Sequence, residues 1–146
     1  HNEVKDVAVL SPAPVEIKLY ILSYVGMGEP SEEVINAVDK KTQLNRPLTD
    51  LVSAASAEII QYEITANLFT RSTVDKDLVK QAALVSAANF TASKHNFSAK
   101  VMRSSVHAAL TVPSVEHVVL ENWVDIECTG IQATYCTAIN INVLTI

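Results

Sequence analysis

Arginine is scarce in this chain: Arg46, Arg71 and Arg103 stand alone and far apart, within a formal net charge of -5 and an isoelectric point near 5.3. Binding to nucleic acid draws most of its affinity from clustered Lys and Arg, so a phosphate-neutralising surface is excluded as the basis of function. No uninterrupted apolar run is long enough to span a bilayer, and the N-terminus lacks the basic-then-apolar pattern of a secretion signal. The chain therefore reads as soluble, with neither nucleic acid nor membrane as a partner. Its two cysteines, Cys128 and Cys136, are too far apart for a redox Cys-x-x-Cys pair. Buried free thiols are the default expectation, and a disulfide across a hairpin is the alternative in an oxidised preparation.

Reactive motifs are missing as well. Gly26-Met27-Gly28 follows a strand pattern and precedes a helix pattern, but neither a third glycine nor the Lys-Ser/Thr of a phosphate loop comes after it. A flexible turn is the better reading. Ser104, Ser105 and His107 are close in sequence and Asp125 is available to complete a triad, yet no G-x-S-x-G elbow exposes a serine. His95, His107, His117, Cys128 and Cys136 are enough residues for a metal site without any compact ligand spacing such as H-E-x-x-H. Glu32 with Glu33, and Asp75 with Asp77, resemble carboxylate pairs. Each pair also sits in a first helical turn, where the helix dipole already explains it.

What the chain does have is apolar material. With 146 residues and 49% hydrophobic content it can hide about two thirds of its unfolded surface in a core. It begins at His1 and not at Met, and reads as a piece of something longer.

Val15, Ile17, Leu19 and Ile21 alternate with Glu16, Lys18 and Tyr20, the period of a half-buried strand. Pro30-Ser31-Glu32-Glu33 then opens a helix carrying Val34, Ile35 and Val38, with Ser31 as its cap. Pro47 lacks an amide donor and pushes Arg46 into an extended conformation, so Arg46-Pro47-Leu48-Thr49-Asp50 marks a helix-to-strand junction near Asn45. A strand from Leu51 leads into the cleanest alternation in the chain, with Ile60, Tyr62, Ile64, Ala66 and Leu68 on one face.

Ser72 and Asp75 have capping-box spacing before a helix whose apolar stripe is Leu78, Val79, Ala82 and Val85. A third helix is expected from about Ala99 to Leu110, ended by Pro113. Val115, Val118 and Leu120 then mark a strand, and Ile139, Ile141 and Val143 another. The strand and helix from Val15 and Ser31 are echoed by those from Ile59 and Val74. This order predicts an α+β fold, strand-helix repeats forming a sandwich of the split βαβ type. Two small subdomains, 1–57 and 58–146, are the alternative.

Four segments, taken in order, carry a resemblance. Asp6-Val7-Ala8-Val9-Leu10-Ser11-Pro12, Arg46-Pro47-Leu48-Thr49-Asp50, Ala108-Ala109-Leu110-Thr111-Val112-Pro113-Ser114-Val115 and Tyr135-Cys136-Thr137-Ala138-Ile139 resemble the bacteriophage baseplate assembly protein J-like family. The resemblance covers nearly all of 1–146 and corresponds to the C-terminal portion of a typical member. Two departures stand out: Ser114 occupies a position where the family often has glycine after proline, and Asn122-Trp123 replaces a Pro-containing turn. The resemblance implies a structural component of a contractile-tail baseplate in a phage, prophage or related injection machine. It implies a role in wedge assembly, no catalytic, cofactor-binding or metal residues, and no cofactor. The implied partners are other baseplate and tail proteins or further copies of the chain, in a virion tail assembled in the host cytoplasm.

A small-molecule-binding or regulatory α+β module is the alternative function, and a hydrolase using His107 with Ser104 or Ser105 a third. Trp123 is the preferred exposed contact, since aromatic anchors are enriched at interface centres, with burial of the same ring as the competing expectation.

Overall fold

The computed structural model describes residues 2–13, 15–45 and 51–146. Arg46 to Asp50, the junction singled out above, lie outside the described residues. Among the described residues three helices and eight strands make an α+β protein, as expected. The chain divides into two compact units, one of residues 1–60, 96–98 and 128–133, the other of 61–95, 99–127 and 134–146.

In the first unit, β1 (Val4–Ala13) and β2 (Glu16–Ser23) form an antiparallel hairpin, and β2 pairs in parallel with β3 (Leu51–Ser56), giving the order β1-β2-β3. Parallel strands need a crossover, supplied here by α1 (Glu32–Asn45). Ser31 caps α1 as expected: its hydroxyl accepts from the Val34 amide at 3.3 Å, while Glu32 and Glu33 occupy the first turn. Val34 is buried and Ile35 and Val38 half-buried, and the Gln43 side-chain amide donates to the Val52 carbonyl. The packed centre is small, Leu22, Ala57 and Ala133 with Ile59 and Phe97 against them.

The second unit holds the sheet β6-β4-β8, made of β4 (Glu58–Thr70), β6 (His117–Leu120) and β8 (Gln132–Thr145). β6 is antiparallel to β4. Thr137 bonds to Tyr62, Asn142 to Asn67 and Ile146 to Thr70, so partners advance together along β4 and β8 and those strands run parallel. The expected alternation of β4 holds: Tyr62, Ile64, Ala66 and Leu68 are buried, and they join Val118, Leu120 and Ile141 in the core. Thr70 continues the buried face.

Helices α2 (Lys76–Ser93) and α3 (Arg103–Leu110) differ from expectation in instructive ways. The cap of α2 is Asp75, whose carboxylate accepts from the Asp77 amide at 3.0 Å; Ser72 is not the cap. Its core side is Val79, Ala83 and Ala87, whereas Leu78, Ala82 and Val85 face solvent. Alanines on the inner side let the helix backbone come close to its neighbours, so the larger side chains are turned outward. The third helix, expected from about Ala99, is shortened at its start, because Lys100–Val101 forms a two-residue strand, β5, paired with β7 (Ile126–Glu127). Met102 is still extended, and only then does α3 begin, burying Val106 and Leu110.

Candidate functional site

The residues that invited chemical readings are dispersed. Gly26 and Gly28 both have positive φ, +61° and +112°, and form a closed turn: the Ser23 amide donates to the Gly28 carbonyl and the Gly28 amide to the Val25 carbonyl. Ser104 and Ser105 lie in the first turn of α3, and His107 in its last, where the His107 carbonyl accepts from both the amide and hydroxyl of Thr111. Asp125 belongs to a different arrangement. Its Oδ1 accepts from the Arg103 amide at 2.7 Å and from the Trp123 indole Nε1 at 2.9 Å, and the Arg103 guanidinium donates to the Trp123 carbonyl. The Arg103 amide first, then the Trp123 N–H, hold the Asp125 carboxyl below its ordinary range. The carboxylate thus caps α3 from outside the helix and pins the loop carrying Trp123.

Two histidines, His95 and His117, meet aromatic rings. His117 is tilted against Phe69 at 5.8 Å, its cross-strand partner on β4, and His95 meets Tyr135 edge-on at 5.7 Å. Among the described residues no three His, Cys, Asp or Glu side chains gather in a way that could hold a metal ion. Cys128 and Cys136 are free and half-buried, and burial pushes both thiols up. Trp123 is half-buried, edge-to-face with Tyr62 at 6.0 Å, so the ring belongs more to the core than to an open contact surface. The exposed neighbour is Val124, 78% accessible. Tyr62 itself has a buried hydroxyl without a hydrogen-bond partner, and burial raises its pKa strongly.

Open apolar surface is what remains. In the first unit, β1 is a sheet edge with Val7, Val9 and Leu10 exposed, and Val9 and Leu10 line a cavity of about 250 Å³ with Thr129, Gly130 and Ile131. Sequence reasoning used this segment for a resemblance and did not read it as a strand. An edge strand wet on both faces has no apolar alternation to detect.

Ser114 supplies the decisive link to the departures noted in the sequence. It lies at φ +78° in the third position of a turn, Val112-Pro113-Ser114-Val115, closed by the Val115 amide on the Val112 carbonyl at 3.1 Å. Proline second and a left-handed residue third define a type II turn, whose third position favours glycine. The local geometry is that of the glycine-bearing turn from which Ser114 departs.

No family model matches the chain. A curated protein does: baseplate protein J of Escherichia phage P2 is 30% identical over 141 residues, 93% of this chain. The chain is similar to that baseplate protein J. It spans about half the length of that relative, 46%, which is consistent with a C-terminal portion of a J-like protein.

Proposed function

We propose that this chain is the C-terminal region of a structural protein of a phage or prophage contractile-tail baseplate, acting in wedge assembly through protein-protein contacts and catalysing no reaction. The observation that carries the reading is the relationship to baseplate protein J across 93% of the chain. The open edge and exposed valines of β1 support it, because an extended strand edge offers backbone donors and acceptors to a neighbouring chain. Its partners are other baseplate and tail proteins, in a virion tail put together in the host cytoplasm. In this reading residues 1–146 are one region of that protein, with subdomains 1–57 and 58–146 as the alternative division.

The test is a pull-down of the full-length product from induced, lysed host cells, together with infection by particles lacking it. Tail proteins are expected to co-purify, and particles without the product are expected to be non-infectious. Recovery as a lone monomer, with infectious particles in its absence, overturns the proposal.

A further inference from the structure

Between β6 and β7 the chain runs through a short strap, Asn122, Trp123 and Val124, stretched between two fixed points. On one side Glu121 is tied to β4: its amide donates to the Thr65 carbonyl at 2.9 Å, and its carboxylate accepts from the Asn67 side-chain amide at 2.7 Å. On the other side Asp125 accepts from the Arg103 amide at 2.7 Å, and β7 follows at once. Asn122 and Val124 are exposed, so Trp123 alone turns inward.

Little holds the strap down. The Trp123 Nε1 donates to Asp125 Oδ1 at 2.9 Å, the Arg103 guanidinium donates to the Trp123 carbonyl at 3.3 Å, and the indole meets the Tyr62 ring edge-on. Each of these contacts can break while the Arg103 amide keeps its bond to Asp125 and α3 keeps its cap. Two features work against closure. The Tyr62 ring under the indole carries a buried hydroxyl with no hydrogen-bond partner among the described residues, which weighs on the closed form by about tenfold. Asn122 stands at φ +51°, in the left-handed region that asparagine enters and leaves more readily than most residues, as a hinge must.

We infer that the strap is a two-state element. In the closed form Trp123 lies on Tyr62; in the open form the indole swings out about Asn122 and Val124 while α3 and the sheet β6-β4-β8 stay folded. Opening lets water reach the Tyr62 hydroxyl and displays the indole beside it. The holding contacts and the unpaired hydroxyl are comparable in weight, so the open form is expected at about 0.1–10% of the population, exchanging with the closed one in microseconds to milliseconds. Any contact made with the open form alone shifts that balance by its differential affinity, which makes the strap a device that a neighbouring molecule can set. This inference goes beyond the baseplate reading and does not rest on it.

Trp123 is the only tryptophan of the chain, so fluorotryptophan labels the strap and nothing else, and fluorine relaxation dispersion of the full chain reads the open population. Arg103→Ala removes the guanidinium and keeps the capping amide, and is expected to raise that population about three- to tenfold. The core amides of Ile64 and Leu68 are expected to exchange no faster in this variant. Tyr62→Phe removes the unpaired hydroxyl and keeps the ring; added to Arg103→Ala, it is expected to lower the open population about tenfold. A tyrosine that only filled space would give no such fall. Because the opening exposes little surface, its population is expected to change little in low urea. A single form in both the wild type and Arg103→Ala, a population that Tyr62→Phe leaves unchanged or raises, or an open form that grows with urea as steeply as global unfolding overturns the proposal.

Discussion

Replacing Ser114 by glycine should stabilise the protein, although glycine substitutions usually do the opposite. At φ +78° the Ser114 Cβ sits in the left-handed region, a strain of about 1–2 kcal/mol for an L-residue. Glycine removes that strain but enlarges the freedom of the unfolded chain, returning about 0.4–1 kcal/mol. Ser114 is exposed, so the hydroxyl contributes little by burial and the strain decides the sign. The net gain should be about 0.5–1 kcal/mol, raising the melting temperature by about 2–4 °C for a chain of this size.

Urea unfolding followed by Trp123 fluorescence, with Ser114→Ala as control, measures the gain. Alanine keeps the Cβ and therefore the strain, so it should stay within about 0.5 kcal/mol of wild type. If Ser114→Gly is no more stable than Ser114→Ala, the turn is not a left-handed one under load and the reasoning fails.

Asp125 has a folded-state pKa below its unfolded value, so its contribution is complete above the unfolded pKa and is lost as pH falls through the folded one. Asp125→Asn should lower the melting temperature at neutral pH, with the difference from wild type shrinking in acid, as read by thermal scans at several pH values. Thr134 is buried and its hydroxyl donates to the Lys94 carbonyl at the end of α2 at 2.7 Å, so Thr134→Val should cost about 1–2 kcal/mol in urea unfolding by stranding that carbonyl. Leu68, wholly buried on β4, should cost about 2–5 kcal/mol when cut to alanine. Burial raises both thiols, so Cys128 and Cys136 should alkylate more slowly near neutral pH in the folded chain than in urea, and equal rates would contradict that burial.

Legibility in the sequence followed how strongly each element commits one face to the interior. β4 was read correctly because Tyr62, Ile64, Ala66 and Leu68 are all buried against an opposite face that is partly wet. The cap and apolar face of α1 were also plain. β1 was not, because exposure on both sides erases the period-two signal. Of the apolar stripe expected on α2, Val79 points into the core while Leu78, Ala82 and Val85 point outward, since alanine fits a close approach to the core and carries little weight in a hydrophobic pattern. Likewise, nothing local announced that Asp125 would cap α3 from 22 residues away in the chain. Of the candidate triad, Ser104, Ser105 and His107 share α3 while Asp125 bonds the Arg103 amide at its start, an arrangement set by a contact across 22 residues that spacing does not show.

The pairing of β1 with β2 slips twice, between Val4 and Asp6 and again between Leu10 and Ala13. Each irregularity bends and twists the outer strand, so its unused backbone groups do not form a straight ladder. A chain with such a border is a poor template for stacking copies of itself into fibres. Any strand that pairs with this edge has to follow the same kinks, so the irregularity that guards against fibres also narrows what can bind there.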